Sequence, residues 1–314
     1  MERNKALSTQ QVAEILHVSK STIYDLIRKG EIKSYKVGRK VRFTQDDVDD
    51  YISKSKTRHS SVNIEQNNLH RSDLLFSNPD ASNSFIICGQ DVILDILSNY
   101  LRLNGVPALR AYIGSYDSLI SLYQDKVQVA SAHLWDSDMN QYNIPYVRRM
   151  LPGIPTVIIH LACRMQGFYV AKGNPKNINT WSDLARGDVV MINREKGAGS
   201  RVLLDENLRL LGIRASQING YFNETFAHLR VASAVSSGDV DVAIGNEKIA
   251  RQVENIEFIP IQKERYELVI KKEAMNTPEI DIMLKIIRSA EFKKEFGNIG
   301  GYDTSEMGKI IAEI

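Results

Sequence analysis

Four apolar segments in the second part of this 314-residue chain each run into a short turn and then into a helical pattern. The alternation starts at Ser84 and predicts βαβ units, which build an open α/β sheet. In such a sheet the helix starts gather at the carboxyl ends of the strands, where ligands bind. The segments and their helices are 84–91 before 92–103, 111–117 before 118–124, 189–201 before 202–211, and 221–228 before 229–236.

A stretch rich in serine, asparagine and charge precedes this alternation at residues 56–83. It holds few large apolar side chains, which is typical of a linker. The chain is long enough for two domains. We therefore expect a small N-terminal unit over 1–55, the linker, and a large C-terminal unit over 84–314.

The N-terminal unit concentrates positive charge. The whole chain has a net charge of +2, but Arg3 to Arg42 contain ten basic and three acidic residues, or about +7. A local excess of this kind is the electrostatic footprint of a module that binds nucleic-acid phosphates.

The same unit has the pattern of two helices, a tight turn between them, and a basic hairpin. The predicted elements are a helix opened by Ser8 or Thr9, a helix over 20–28, strands over 32–37 and 41–44, and a last helix over 46–52. This order lays one helix in the major groove of DNA and brings a wing to the phosphates.

Residues 7–52, LSTQQVAEILHVSKSTIYDLIRKGEIKSYKVGRKVRFTQDDVDDYI, closely resemble the excisionase/MerR-like winged helix-turn-helix family. The resemblance implies that the second helix approaches base edges and that the hairpin contacts the backbone. The predicted DNA-binding residues are Ser19, Lys20, Ser21, Thr22, Tyr24, Arg28, Arg39, Lys40 and Arg42. One such module covers few base pairs, so we expect a homo-oligomer, a dimer or higher, on a two-fold operator in double-stranded DNA.

The C-terminal unit is similar to the type II periplasmic-binding-protein-like sensor domain that is fused to bacterial helix-turn-helix regulators. The segments that carry the resemblance are 132–153, 191–208 and 228–245. It implies a two-lobed α/β fold, with lobe I over about 84–165 and 266–314 and lobe II over about 168–263. Some relatives are linked to molybdate, tungstate or molybdenum-cofactor genes. The resemblance therefore suggests one of these oxyanions as the small-molecule effector, with a carboxylated or phosphorylated metabolite as the alternative.

The helix starts of this unit offer unpaired amides and positive dipole ends, which suit an anion. The segment 197–201 is the most specific, because its glycines allow close approach, Ser200 adds a hydroxyl, and Arg201 can hold an anion with two parallel hydrogen bonds. The predicted ligand-binding residues are Gly89, Gln90, Gly114, Ser115, Tyr116, His133, Asn193, Gly199, Ser200, Arg201, Asn223 and Thr225.

Catalytic and metal chemistry find little support in the sequence. Cys88 and Cys163 are too few and too distant for a zinc site or a disulfide framework, and the apolar runs before them predict buried thiols. No nucleophile with an adjacent base and no Walker loop stands out. We expect no catalytic residues, no metal and no cofactor. Two alternatives remain: a transferase-like enzyme on the same fold, and an excisionase-like architectural DNA protein.

The location of the protein follows from its apolar segments. The N-terminus lacks the apolar core of a signal peptide, and the longest apolar run, near residue 160, is too short to span a membrane. We expect a cytoplasmic protein without a membrane partner. A ligand-responsive regulator of transcription, and no enzyme, is the function that this organisation predicts.

Overall fold

The computed structural model describes residues 6–16, 18–28, 32–38, 40–45, 47–48, 51 and 84–314. The chain divides into two compact units, Met1–Leu69 and His70–Ile314. The predicted linker over 56–83 and the predicted DNA contact Arg39 lie outside the described residues.

The N-terminal unit packs two helices against a small antiparallel sheet. Its elements are β1 (Leu7–Ser8), α1 (Thr9–Ile15), α2 (Lys20–Arg28), β2 (Tyr35–Val37) and β3 (Lys40–Phe43), and the strand order is β1-β3-β2. Its buried core consists of Val12, Ala13, Ile23, Ile32, Phe43 and Val48. The winged helix-turn-helix arrangement predicted from the sequence is therefore present.

Local signals explain these elements. Ser8 caps α1 in a capping box, with the Gln11 amide nitrogen 3.3 Å from Ser8 Oγ. The second helix spans the predicted residues. Strand β2 is shorter than the predicted 32–37, because Ile32 is buried in the core outside the strand. The described residues of the last helix predicted over 46–52, which are Asp47, Val48 and Tyr51, are helical, and so is Gln45 before them.

The C-terminal unit is an α/β structure with two lobes. Its strands are β4 (Phe85–Cys88), β5 (Ala108–Ala111), β6 (Val129–Ala132), β7 (Trp135–Asp136), β8 (Gln141–Tyr142), β9 (Thr156–Ala171), β10 (Asn193–Arg194), β11 (Glu224–Thr225), β12 (Val242–Asn246), β13 (Ile256–Lys271) and β14 (Ile310–Glu313). Its helices are α3 (Val92–Leu103), α4 (Ser115–Tyr123), α5 (Ile144–Met150), α6 (Gly199–Leu210), α7 (His228–Ser236), α8 (Glu247–Ala250), α9 (Pro278–Arg288) and α10 (Ala290–Ile299).

Two long strands run through both lobes. Strands β9 and β13 have 16 residues each and pair antiparallel along most of their length. In the first half of β9 the outer neighbour is β14, and in the second half it is β12. The full order is β12-β9-β13-β6-β4-β5, with β14 on β9. The two lobes therefore share one pair of strands.

Strand β13 is buried along its second half only. Its first half mixes apolar and polar residues, contains a proline and is partly exposed, so its amino-acid pattern is a weak strand signal. Pairing with β9 extends it to Ile256, with register shifts at Pro260/Gln262 and Tyr266/Glu267. Pairing with a distant strand thus determines the length of β13, which the local sequence pattern does not indicate.

Each lobe has its own core. The sheet of lobe I is covered on one face by a cluster around Ile93, Leu97 and Phe292, and on the other by a cluster around Leu119 and Leu122. Lobe II has separate clusters around Phe168 and Val231. The cores leave the carboxyl ends of the strands open for a site between the lobes.

Both cysteines are free and buried, as predicted. Burial is the main cause that raises the pKa of the Cys88 thiol to about 12, so it is protonated at neutral pH.

Candidate functional site

A cavity lies where the two lobes meet, and the space in it that a water molecule can reach is small, about 10 Å³. It takes residues from lobe I, from lobe II and from the two shared strands. The lining residues are Gly89, Gln90, Asp91, Ile113, Gly114, Ser115, Ser131, His133, Arg164, Ala198, Gly199, His228 and Tyr266. This volume holds about one water molecule, so a small ligand can enter only when the walls on the two sides move apart.

Three helices begin at this cavity with their first amides uncapped by side chains. These helices are α4, α6 and α7, and their N-cap residues are Gly114, Ala198 and Ala227 respectively. Among the described residues, none of these three N-caps makes a side-chain hydrogen bond to its helix. The fourth helix, α3, differs, because Asp91 Oδ1 accepts a hydrogen bond from the Ile93 amide at 2.8 Å. The cavity therefore receives three positive helix ends with amide donors.

Helices α4 and α6 begin earlier than the sequence pattern predicted, at Ser115 and Gly199 instead of residues 118 and 202. Glycine and serine were interpreted as loop residues, whereas here they form the first turns. The difference matters chemically, because it moves the helix starts to the wall of the cavity.

The two lobes are in close contact around the cavity. The Tyr116 amide donates to the Gly197 carbonyl at 3.1 Å, which joins α4 to the loop before α6. Gly199 packs so closely on the His133 ring that a Cβ there would lie 2.3 Å from two ring atoms. The lobes are therefore in contact here, and a residue larger than glycine at position 199 would clash with the His133 ring in this arrangement.

Arg164 is the buried cation at the centre of the site, with 5% of its surface exposed. Its guanidinium contacts the carboxylates of Asp91 and Glu264. It also lies over the Tyr266 ring, 4.3 Å from the centroid. Two carboxylates saturate this cation, so Arg164 organises the wall and contributes no free positive charge to a ligand.

The carboxylate Glu264 is shared between Arg164 and His133, whose Nδ1 lies 2.9 Å from Glu264 Oε2. Burial by itself would raise the pKa of Glu264, but the charge of Arg164 and the interaction with His133 outweigh it and lower the pKa to about 2. Glu264 is therefore ionised at neutral pH and both of its oxygens are occupied.

The remaining polar groups of the lining are neutral. Ser131 Oγ and Tyr266 Oη lie 2.8 Å apart, and Ser115 Oγ accepts from the His133 amide at 3.3 Å. Desolvation, reinforced by the charges of Arg194, Arg164 and His133, holds the pKa of His228 well below its ordinary value. Hydroxyls, a neutral imidazole and helix amides thus dominate the ligand-facing chemistry.

Six predicted ligand residues line the cavity: Gly89, Gln90, Gly114, Ser115, His133 and Gly199. In the described structure, the other six are not among its lining residues. They are Tyr116, Asn193, Ser200, Arg201, Asn223 and Thr225.

Arg201 departs furthest from its predicted role as an anion clamp. Its guanidinium donates to the Arg194 carbonyl at 3.0 Å, contacts Glu224 at 3.2 Å and Asp205 at 3.3 Å, and stacks on Tyr221. Asn193 and Asn223 are joined through their backbones at 2.8 Å. These groups hold lobe II together.

The site includes residues that the sequence analysis did not select. These are Asp91, Ile113, Ser131, Arg164, Ala198, His228 and Tyr266. One signal was available for Arg164, because it is a charged residue within an otherwise apolar strand. A charge in that position needs buried partners, which is typical of a site.

The predicted DNA-binding surface lies on α2 and the hairpin. Lys20, Ser21, Tyr24 and Lys40 are exposed, and Tyr24 leaves 49% of its surface free.

The other described candidates already have partners in the N-terminal unit. Ser19 Oγ accepts from the Thr22 amide at 3.2 Å and so caps α2. Arg28 pairs with Asp25 at 2.7 Å on the surface, and the half-buried Arg42 donates to the Val41 carbonyl at 3.1 Å. Ser19 and Arg28 are also exposed, and Ser21 Oγ lies 2.7 Å from Ser19 Oγ, so a partner within the unit does not by itself remove a candidate from the surface.

Two further features bear on the class of protein. Within the described residues, there is no group of three or more His, Cys, Asp or Glu side chains that can hold a metal ion. No helix in the same part of the chain has the length and apolar character that crossing a bilayer requires.

A helix-turn-helix unit followed by a two-lobed α/β unit with a cavity between its lobes defines a DNA-binding domain joined to a small-molecule-binding domain. Residues 6–56 match the helix-turn-helix domain, and residues 98–288 match the PBP superfamily domain. The chain belongs to the PBP superfamily and carries an N-terminal helix-turn-helix domain of the excisionase-like class.

Similar proteins support this assignment. An uncharacterized protein of Bacillus subtilis (strain 168), YvgK, is 39% identical over 315 residues, which cover all of both chains. A putative phosphate ABC transporter substrate-binding protein from Clostridium perfringens, with bound phosphate, has a TM-score of 0.53 at 14% identity and covers 70% of this chain and 98% of its own. The tungstate ABC transporter structure from Geobacter sulfurreducens has a TM-score of 0.51 at 10% identity, covering 69% and 98%. At these identities the two structures show the fold alone.

Proposed function

We propose that this protein is a transcriptional regulator that changes its binding to DNA when a small anion occupies the cavity between the lobes. The observation that carries the proposal is this cavity, at which α4, α6 and α7 begin without side-chain caps, in a chain that also has a helix-turn-helix domain. Regulation of transcription places the protein in the cytoplasm, where it meets double-stranded DNA.

A tetrahedral oxyanion is the ligand class that best suits these groups, and molybdate or tungstate is our first choice. Helix amides and hydroxyls donate hydrogen bonds, and an oxyanion can accept them on four oxygens. The carboxylates Asp91 and Glu264 are already held by Arg164. Phosphate and tungstate proteins share this fold, which is compatible with an oxyanion in the present chain.

Closure of the lobes is the step that would link ligand to DNA. In the proposed mechanism the lobes rotate about β9 and β13 and close on the ligand. Closure changes the geometry of a homodimer and hence the distance between its two helix-turn-helix domains. To move a population from 1:99 to 99:1, the ligand must prefer one state by about 10⁴-fold. A cavity with walls from both lobes can supply that preference, because many ligand contacts exist in the closed state alone.

The ligand class is tested by thermal unfolding of the full chain with molybdate, tungstate, sulfate or phosphate. A ligand at about 100 times its Kd adds about 2.7 kcal/mol of stability, which raises Tm by about 5–10 °C in a domain of this size. We expect molybdate and tungstate to produce this shift. Sodium chloride at equal ionic strength is the control. Stabilisation by sulfate and phosphate alone would refute the metal oxyanion, and no shift with any of the four would refute the oxyanion class.

The proposed wing is tested by Lys40→Ala and Arg39→Ala in separate proteins. Each is expected to weaken binding to operator and unrelated DNA by a similar factor, because a phosphate contact carries no base information. The slope of log K against log salt should fall by about 0.9 for each phosphate that the variant no longer neutralises. Gel-shift titrations at several salt concentrations measure both effects. Lys285→Ala, on an exposed side chain of the C-terminal unit, is the control. An unchanged slope would show that these cations do not bind phosphates.

A further inference from the structure

Arg194 on β10 is buried, with 1% of its surface exposed, and it reaches from lobe II towards lobe I. Its Nε and Nη2 contact Glu195 at 2.8 and 2.9 Å. Nη2 also donates to Gln90 Oε1 of lobe I at 2.7 Å. Since Gln90 lines the cavity, this contact joins Arg194 to a lining residue across the junction of the lobes.

The other terminal nitrogen of Arg194 is unusual. Among the residues that the structure describes, Nη1 is buried and has no hydrogen-bond partner. A guanidinium cannot release its proton at any physiological pH, so a buried Nη1 always requires an acceptor. Leaving such a donor unsatisfied is unfavourable, which makes an acceptor on a bound ligand the simplest explanation.

His228 shows the same feature at the first residue of α7. It lines the cavity, and its Nδ1 is buried without a hydrogen-bond partner in the described part of the chain. The positive charge of Arg194 acts on this ring and, after desolvation, is the next cause that lowers the pKa of His228. A neutral imidazole has one N–H, which it can donate to an anion.

Arg194 and Arg164 differ in how far they are neutralised. Arg164 is held between two carboxylates, Asp91 and Glu264, whereas Arg194 pairs with Glu195 and otherwise with neutral oxygens of Gln90, Thr225 and Phe226. Among the described residues, Arg194 therefore keeps one unused donor, Nη1, for a further acceptor, whereas the charge of Arg164 is shared by two carboxylates.

We infer that Arg194 and His228 form a subsite for one negatively charged oxygen of the ligand, with Arg194 Nη1 and His228 Nδ1 as hydrogen-bond donors. This inference rests on the proposed function and adds to it the side chains that recognise the oxyanion. Because Gln90 of lobe I holds the same guanidinium, an anion bound here also stabilises the contact between the lobes.

Isothermal titration calorimetry of the full-length variants Arg194→Met and His228→Phe tests the subsite, with molybdate, tungstate, sulfate and phosphate as probes. Each substitution removes a donor to a charged oxygen, so we expect the affinity for the oxyanion that binds wild type to fall about 10–100-fold. His228→Asn keeps an N–H donor and should lose less than His228→Phe. Arg186→Met removes an exposed cation of lobe II and should bind as wild type does.

The variants also separate this inference from the proposed function. Circular dichroism and unfolding without ligand identify a variant that fails to fold. If Arg194→Met does not fold, Arg194→Lys is used instead, because it keeps the positive charge and loses the planar guanidinium. If wild type binds an oxyanion and the variants of both positions bind it within threefold of wild type, the subsite is wrong and the regulator proposal stands. If wild type binds none of the four, the oxyanion class fails, and the subsite with it.

Discussion

Replacing Arg164 with methionine is expected to destabilise the C-terminal unit by about 3–5 kcal/mol at neutral pH, because it leaves buried carboxylates without their cation. In the folded protein, Arg164 contacts both Asp91 and Glu264, and all three side chains are buried. Chemical denaturation of both proteins at pH 7 measures the difference. A change below about 1 kcal/mol would show that the two carboxylates do not depend on this arginine.

The pH dependence gives the same experiment a second readout. In wild type the pKa of Glu264 is about 2, below its ordinary value of 4.5, so its contribution to stability is present above pH 4.5 and is lost as the pH falls towards 2. In Arg164→Met, Glu264 loses the cation that lowers its pKa, and burial then favours its protonated form. The difference in the free energy of unfolding between variant and wild type should therefore shrink from pH 7 to pH 5.

Lys272→Met is the control for this substitution. Lys272 also pairs with a carboxylate of the C-terminal unit, Glu313, at 2.7 Å, but the two side chains are 57% and 52% exposed. Water already solvates such a pair, so its removal should cost about 1 kcal/mol or less. Equal effects of the two substitutions would contradict a central role for Arg164.

Replacing Gly199 with valine is expected to lower the affinity for the effector at least 100-fold, because the lobes can then no longer close. A Cβ at this position would lie 2.3 Å from atoms of the His133 ring, and neither the ring nor the first turn of α6 can move freely. Calorimetry with the oxyanion that stabilises wild type measures the affinity. Small-angle X-ray scattering should show a larger radius of gyration with ligand present than for liganded wild type.

Gly187→Val controls for the general effect of a branched side chain on lobe II. A Cβ at Gly187 would meet no atom within 4 Å in the described structure. We expect this variant to bind the effector as wild type does and to scatter as the compact form. Tight binding by Gly199→Val would show that the packing of Gly199 on His133 is not needed for ligand capture.

The two arginines of positions 164 and 201 show how far sequence reasoning reached into the site. Arg201 follows two glycines and a serine, a pattern typical of an anion clamp, but Asp205 lies one helical turn further along and Glu224 lies nearby in lobe II, and both take its charge. Arg164 has no such pattern around it. It meets Glu264 because β9 and β13 pair these two positions 100 residues apart.

Local sequence determined the elements whose signals lie within a few residues of one another. Examples are the Ser8 cap of α1, the amphipathic α2, the basic hairpin, and the alternation of strands and helices that predicts an α/β unit. It also predicted half of the cavity lining, because glycine and serine at helix starts mark places where ligands can approach the backbone. Tertiary structure alone decided the rest. Contacts between segments that are distant in sequence give Arg164 and Tyr266 their partners and leave one nitrogen each of Arg194 and His228 without a partner among the described residues. Which donors remain for a ligand therefore depends on the tertiary structure.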